Sequence, residues 1–222
     1  MNRPSVLVFD VNETLLDLTE LRSVLSEALG SSERLAEWFF RLLHGSLVAN
    51  TTDSFRSFET LGTEALRAVA LRQGIELSAS QAGDLVAGFR SLPPHQEVPN
   101  ALERLANRFR LIALSNGSPE GISAQLSNAG IVDSFEMVVS VHDVGRFKPD
   151  PAPYRAALER AGADPGDVLM VAAHDWDIIG ARAVGIPGAF IERPGVVWTV
   201  PHDAAELVVT DIGELADALD AR

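Results

Sequence analysis

The chain of 222 residues contains no cysteine, which excludes disulfide bonds and thiolate metal sites. Cationic side chains are scarce, because 18 lysines and arginines face 31 aspartates and glutamates, and the formal net charge is −13. A surface this acidic repels nucleic acids and anionic lipids, and an anionic substrate would need local arginine or lysine side chains. The sequence also lacks an apolar run of the ~18 residues that a membrane-spanning helix requires.

What remains is the composition of an ordinary globular protein, with 46% hydrophobic and 22% charged residues. The first residues lead directly into an apolar run, so we expect no secretory leader. Together with the missing cysteines, this favours a cytoplasmic protein that binds neither nucleic acid nor membrane. The length fits one large domain, or one domain with an insertion.

Helical patterns fill the chain from about residue 18 to 92. Gly30 ends the first helix, Ser32 can cap the second, and Pro93 with Pro94 closes the block. The predicted helices cover residues 18–29, 35–47, 60–72 and 80–92. The aromatic side chains expected to build the core of this helical unit are Trp38, Phe39, Phe40, Phe55 and Phe58.

Strands and helices alternate from about residue 100 onward, which is typical of a parallel sheet wrapped by helices. Apolar runs predict strands over residues 6–9, 111–114, 137–140, 168–171, 188–191 and, at an edge, 207–209. The predicted fold is therefore α/β, with a Rossmann-like core of residues 1–15 and 97–222. A helical cap of residues 16–96 is inserted after the first strand, and residues 96–99 form the expected return hinge.

Polar side chains follow four of the predicted strands, and they are Asp10, Ser115 with Asn116, Lys148, and Asp177. In a parallel sheet these strand ends converge on one edge, where ligands bind. Asp10 alone could merely end its strand, because strand ends are usually polar. Two carboxylates and a lysine together are harder to explain as turn chemistry, so they predict a catalytic site with Asp10 as the nucleophile.

Four motifs follow one another along the chain, and they are Phe9-Asp10 with Thr14, Leu114-Ser115-Asn116-Gly117, Lys148-Pro149 with Tyr154, and Trp176-Asp177 with Gly180-Ala181. Their order and spacing resemble the haloacid dehalogenase superfamily, and within it the L-2-haloacid dehalogenases. The resemblance extends over essentially the whole chain, including the helical insertion. It implies the fold of that superfamily and an enzyme that needs no cofactor.

Two positions favour the dehalogenases over the phosphatases of this superfamily. Phosphatases carry an Asp two residues after the nucleophile and another Asp, a magnesium ligand, four residues before the position of Asp177. Here these positions hold Asn12 and Ala173, which supply neither an acidic proton nor a carboxylate for the metal. A halide leaves as a weak base and needs neither, so no metal is expected. Asp175 offers a nearby carboxylate and keeps a magnesium phosphatase as an alternative.

The resemblance implies covalent catalysis, in which Asp10 attacks the carbon that bears the halogen and water then hydrolyses the ester. Asp177 is the candidate base or positioner of that water, and Lys148 keeps both aspartates ionised. The residues expected around the substrate and the leaving halide are Asn12, Thr14, Arg41, Ser115, Asn116, Tyr154 and His174. Among these, Ser115 would bind the substrate carboxylate, while Arg41 and Asn116 would hold the halide.

Several of these assignments have a plainer alternative. Thr14 either fixes the rotamer of Asp10 or caps the first cap helix. Arg41 could be an ordinary exposed helix residue, and Asp177 could serve only to neutralise a helix N-terminus or to pair with Lys148. Ser115 could belong to a simple turn.

The chain departs from the dehalogenase pattern at Asn12, where Tyr is usual, and at Ala172 and His174, where Ser and Asn are usual. His174 either replaces the donor group of that Asn or is a packed core histidine. Trp176 is expected to form a wall behind the motif. Relatives are often dimers, so a homodimer is one possibility and Trp198 could lie at its interface, but the sequence shows no dimer seam.

The predicted function is the hydrolysis of short 2-haloalkanoic acids to 2-hydroxy acids through a metal-independent ester on Asp10. The small carboxylate substrate is the expected partner. One alternative is a hydrolase that opens the ring of azetidine-2-carboxylate by the same chemistry, and a phosphatase is another. A protein that binds small anions without catalysis is an alternative of a different class.

Overall fold

The computed structural model describes residues 3–199 and 205–221, and within these ranges six parallel strands form one sheet. The strands are β1 (Val6–Phe9), β2 (Arg110–Ser115), β3 (Met137–Ser140), β4 (Val168–Ala172), β5 (Gly188–Ile191) and β6 (Leu207–Val209). Their order across the sheet is β3-β2-β1-β4-β5-β6, so β1 lies in the interior between β2 and β4. The predicted parallel α/β sheet is confirmed.

The segment between β1 and β2, which is predicted to form the cap, is helical. It contains α1 (Thr19–Leu29), α2 (Glu33–Thr51), α3 (Phe58–Arg72) and α4 (Ala79–Ala87), followed by a 3-10 turn at Gly88–Ser91. Trp38 is buried between α2 and α3, and its Nε1 donates a hydrogen bond to the carbonyl oxygen of Gly62 at 2.9 Å.

The chain enters and leaves the cap through two paired linkers. The backbone N of Asp17 donates to Pro93 O at 2.8 Å, and the backbone N of His95 donates to Leu15 O at 3.0 Å. The boundaries at residues 16 and 96 stay a prediction, and residues 1, 2, 200–204 and 222 of the predicted core lie outside the described residues.

The core helices are α5 (Val98–Ala106), α6 (Pro119–Asn128), α7 (Pro151–Ala161), α8 (Asp175–Arg182) and α9 (Ile212–Asp220). The sequence analysis misses α5 and α9. Pro99 suggests a hinge, but it lies in the first turn of α5, where a missing backbone N–H is tolerated. No helix in the described part of the chain is long and apolar enough to cross a membrane.

Two apolar layers bury the sheet, because side chains alternate along each strand. On β1, Leu7 and Phe9 face the layer that contains residues of α5, α6 and α9 and continues into the cap. Val6 and Val8 face the other layer, which contains residues of α7 and α8. This double burial fixes the end of β1 and hence the position of Asp10.

Two of the predicted cap aromatics are placed differently from the prediction. Phe40 is 69% exposed, so its assignment to the cap core is wrong. Phe55 packs on Phe147 of the core domain, with ring centroids 4.8 Å apart, and therefore lies where the cap meets the core. Trp198 packs edge-on against Phe190 of β5 at 5.2 Å, and its predicted place at a subunit interface stays a prediction.

A side chain at the position of Gly180 in α8 would clash with its neighbours. A Cβ atom there would lie 2.6 Å from the Tyr154 hydroxyl and 2.7 Å from Pro149 Cβ. We therefore expect Gly180→Ala to lower the free energy of unfolding by about 1–3 kcal/mol. At Gly83 of α4, a Cβ meets no atom within 4 Å, so Gly83→Ala should stabilise the protein by about 0.5–1 kcal/mol. Urea unfolding of both variants measures these free energies. If both variants were stabilised or both destabilised, the predicted difference in packing would be contradicted.

Candidate active site

Asp10 follows β1 at the carboxyl edge of the sheet, where its backbone N donates to Val171 O at 3.0 Å. Its Oδ2 accepts a hydrogen bond from Thr14 Oγ1 at 2.7 Å, and its Oδ1 accepts one from Lys148 Nζ at 2.8 Å. Thr14 Oγ1 accepts in turn from the backbone N of Ala173 at 2.9 Å. Thr14 therefore fixes the rotamer of the Asp10 side chain.

Lys148 is the only lysine in the sequence, and it is 1% exposed. Its Nζ donates to Asp10 Oδ1 at 2.8 Å, to Asp177 Oδ2 at 2.6 Å and to Leu114 O at 3.0 Å. These acceptors use all three N–H groups of the ammonium. Burial lowers the pKa of Lys148, but the charges of Asp10 and Asp177 outweigh burial and raise it above its usual value. One buried cation therefore joins the two carboxylates.

Asp177 lies in the first turn of α8 and is fully buried. Its Oδ2 binds Lys148, and its Oδ1 accepts from the Tyr154 hydroxyl at 2.5 Å. Burial raises the pKa of Asp177 above its usual value, although Lys148 opposes this shift. Tyr154 is also fully buried and its hydroxyl donates to Asp177, while its predicted substrate contact stays a prediction.

The end of β2 and the residue after it form a turn that contacts the segment carrying Lys148. Ser115 Oγ accepts from the backbone N of Gly117 at 3.3 Å, and Asn116 Oδ1 accepts from the backbone N of Lys148 at 2.9 Å. The Asn116 amide NH2 has no hydrogen-bond partner within the described ranges, so it can donate to a bound anion. Asn12 Oδ1 accepts from Gln125 Nε2 of α6 at 2.8 Å, a partner that the sequence analysis misses.

Arg41 pairs with another residue of the helical cap. Its Nε donates to Glu37 Oε1 at 3.0 Å one turn earlier in α2, and Glu37 also pairs with Arg34 and Arg72. Side chains four residues apart on a helix are neighbours, which favours this pairing. Arg41 hydrogen-bonds neither Asp10 nor Asn116 in this structure, and its place beside the leaving halide stays a prediction.

A second cluster of charged side chains adjoins the Oδ2 side of Asp10. His174 Nδ1 lies 3.7 Å from Asp10 Oδ2, and His174 Nε2 donates to Glu13 Oε2 at 3.0 Å. The other carboxylate oxygen of Glu13 forms an ion pair with Arg22 of α1. The sequence analysis gives Glu13 and Arg22 no role. The position of Glu13, directly before Thr14 in the first motif, is the signal that could have identified it.

The charges of this cluster stabilise one another. Burial lowers the pKa of His174, but the neighbouring carboxylates of Asp10 and Glu13 outweigh burial and raise the pKa to about 9. Burial raises the pKa of Asp10, but Lys148 and His174 outweigh it and hold that pKa below its usual value. Asp10 is therefore anionic and His174 cationic at neutral pH.

A cavity of about 440 Å³ opens beside His174 and Glu13, between α1, α2 and residues 195–199. Trp38 and Phe39 contribute to its walls. Trp176 stacks on the His174 ring, with centroids 5.1 Å apart, as expected for a wall behind the motif. The cavity therefore extends to the His174 ring, whose Nδ1 lies 3.7 Å from Asp10 Oδ2.

Most of the sequence matches a known family. The model of the haloacid dehalogenase-like hydrolases matches residues 4–185, a range that includes Asp10, Lys148 and Asp177. The chain is a haloacid dehalogenase-like hydrolase. The predicted superfamily is confirmed, and so is the prediction of a hydrolase.

Relatives of this haloacid dehalogenase-like hydrolase include two (S)-2-haloacid dehalogenases. That of Pseudomonas sp. (strain YL) is 30% identical over 217 residues, which cover 96% of this chain and 94% of the relative. That of Xanthobacter autotrophicus is 31% identical over 189 residues, which cover 84% of this chain and 74% of the relative. The solved L-2-haloacid dehalogenase from Xanthobacter autotrophicus has a TM-score of 0.89 at 26% identity, with 98% of each chain covered. The predicted similarity to this group is confirmed.

The side chains of this haloacid dehalogenase-like hydrolase do not fit a magnesium ion. Asn12 Oδ1 is occupied by Gln125, and the Ala173 side chain has no oxygen. The ammonium of Lys148 lies between the carboxylates of Asp10 and Asp177. Among the residues that the structure describes, no group of three or more His, Asp and Glu side chains could hold a metal ion.

Proposed function

We propose that this hydrolase converts short 2-haloalkanoic acids to 2-hydroxy acids through a covalent, metal-independent ester on Asp10. The observation that carries the proposal is the Asp10 carboxylate itself. It is anionic, its rotamer is fixed by Thr14, and Lys148 is its counter-ion. A carboxylate held in this way is a suitable nucleophile for displacement at carbon.

In the first half-reaction, an oxygen of Asp10 bonds to C2 of the substrate while the carbon–halogen bond breaks. The electron pair of that bond leaves with the halide, and C2 is inverted. In the second half-reaction, water adds to Cγ of Asp10, and the 2-hydroxy acid departs with the original aspartate oxygen. The products are one halide, one 2-hydroxy acid and one proton.

Donors near the start of α6 support recognition of the two anionic groups. Ser115 and the backbone N–H groups near Asn116 and Gly117 are the proposed partners of the substrate carboxylate. The free Asn116 NH2 group is the proposed partner of the halide. A halide role for Arg41 stays a prediction, and it requires the guanidinium to leave Glu37.

The deciding experiment is a substrate panel in the presence of EDTA. It contains chloro-, bromo- and fluoroacetate, both enantiomers of 2-chloropropionate and a longer 2-bromo acid, with free halide as the readout. Azetidine-2-carboxylate with an amine readout and p-nitrophenyl phosphate with magnesium test the two other enzyme classes. Single turnover in H₂¹⁸O should place label in Asp10. Phosphate release without halide release would refute the proposal.

A further inference from the structure

His174 has no task in the half-reactions written above. Its Nδ1 atom is buried, has no hydrogen-bond partner among the residues described, and lies 3.7 Å from Asp10 Oδ2. Buried nitrogen atoms are almost always hydrogen-bonded, so an exception beside a nucleophile requires an explanation. The unpartnered atom faces the carboxyl group that becomes the ester.

We propose that His174, oriented by Glu13, is the general base that takes a proton from the water that hydrolyses the Asp10 ester. The inference rests on the proposed function, because it requires an ester on Asp10. It adds Glu13 as a positioning residue, and it gives Asp177 a different task from the predicted one.

Glu13 fixes the chemistry of the imidazole ring. Because Glu13 Oε2 accepts from Nε2, the neutral ring carries its proton on Nε2 and its lone pair on Nδ1, towards Asp10. Glu13 is itself held on two sides, by the ion pair to Arg22 and by His95 Nε2, which donates to the Glu13 carbonyl oxygen at 3.0 Å. Its backbone φ is 65°, an uncommon left-handed conformation that clusters at functional sites.

Asp177 is less suited to this task. Lys148 occupies one of its oxygens, the Tyr154 hydroxyl occupies the other, and the residue is 0% exposed. Both oxygens of Asp177 thus already accept a hydrogen bond, whereas His174 Nδ1 has no partner among the described residues. Its arrangement favours holding Lys148 in place beside Asp10.

The pKa of His174 depends on the charge of Asp10, which changes during the reaction. The charged groups around His174 are Asp10 and Glu13 and, beyond them, Arg22, Lys148 and Asp175. Ester formation removes the negative charge of Asp10, one of the causes that raise the pKa of His174 to about 9. The pKa of His174 therefore falls when the ester forms, and the neutral base becomes available for the second half-reaction.

Every proton in the second half-reaction can be accounted for. After ester formation, His174 Nδ1 gives its proton to solvent. It then takes a proton from water as the water oxygen bonds to Asp10 Cγ. The tetrahedral intermediate breaks its bond between Cγ and the substrate oxygen, and the departing alkoxide takes the proton from Nδ1. Asp10 is left as a carboxylic acid, and its proton passes to His174, which restores the ion pair.

The test compares His174→Gln and His174→Asn with the wild-type enzyme and with His44→Gln, a control at an exposed histidine of α2. Both His174 variants should release a stoichiometric burst of halide. Their later turnover should be slower than that of the wild type by about 100-fold or more, the usual size of a general-base effect. Acid-quenched samples should show the ester mass on the Asp10 peptide. His44→Gln should behave as wild type.

The pH profile separates catalysis from a structural defect. Because the base must be neutral, ester hydrolysis by the wild type should speed up as pH rises through the pKa of His174, and this limb should vanish in the His174 variants. Glu13→Gln keeps an acceptor for Nε2 but removes a negative charge, so the limb should move to lower pH. Circular dichroism confirms that each variant is folded.

The outcomes distinguish this inference from the proposed function. If the His174 variants accumulate no ester, or hydrolyse it at the wild-type rate, the inference is overturned while Asp10 chemistry stands. If the wild type releases no halide and incorporates no label into Asp10, the proposed function itself fails. If the pH dependence of ester hydrolysis is the same in folded Glu13→Gln as in the wild type, Glu13 does not set the pKa of His174.

Discussion

Asp10→Asn is expected to lower the turnover of 2-halo acids by roughly 10⁴- to 10⁶-fold, the loss that follows removal of a covalent nucleophile. The amide is neutral and weakly nucleophilic, so no ester forms. Its shape matches the aspartate, and its oxygen and NH2 group can still face Lys148 and Thr14, respectively. We therefore expect the variant to fold and the loss to lie in the chemical step.

Halide release and binding of a 2-halo acid, measured side by side, test this expectation. The matched control is Asp53→Asn, an exposed carboxylate that pairs with Arg146 and lies away from the site. Asp53→Asn should retain wild-type turnover, and Asp10→Asn should retain binding. A wild-type protein that binds the acids without turnover would support the anion-binding alternative. Undiminished turnover by Asp10→Asn would exclude Asp10 as the nucleophile.

Lys148→Met is expected to abolish activity and to lower the free energy of unfolding by about 3–5 kcal/mol, the cost of leaving buried charges unpaired. Without the ammonium, Asp10 and Asp177 face each other as buried anions, and burial already raises the pKa of Asp177. A group whose folded pKa is raised stabilises the fold when it is protonated. The destabilisation should therefore be smaller near pH 5 than near pH 8.

Urea unfolding at these two pH values measures the effect. Arg146→Met is the matched control, because Arg146 lies two residues before Lys148 but forms a surface ion pair with Asp53. Its loss should cost at most about 1 kcal/mol. The double variant Lys148→Met with Asp177→Asn should recover part of the stability and none of the activity. Equal destabilisation by Lys148→Met and Arg146→Met would contradict the buried charge network.

The centre of the site could be predicted because its residues are tied to the sheet. The apolar run Val6–Phe9 requires a buried strand, and a buried parallel strand exposes its end at the ligand-binding edge. Asp10 therefore had to lie there. The motif order then brought Lys148 and Asp177 to the same edge, and the structure places one Nζ atom between both carboxylates.

The remaining features depend on contacts between residues that are far apart in the sequence, which local patterns do not predict. His174 and Glu13 are 161 positions apart, and their pairing follows from the sheet order that sets β4 beside β1. For Arg41 the sequence did contain a local signal. Glu37 lies one helical turn earlier and is its partner in the structure, but the prediction followed the family resemblance instead. Phe40 shows that apolar spacing on a helix does not decide which side chain stays in solvent.

That the chain's one lysine is buried between two aspartates makes it a natural spectroscopic reporter. Protein grown with ¹⁵Nζ-labelled lysine should give a single side-chain ammonium signal, already assigned and slow to exchange with solvent. Its shift should change when Asp10 becomes an ester. Reagents that acylate lysine should leave Lys148 unmodified in the folded protein, so the onset of labelling would report local opening at the catalytic aspartates.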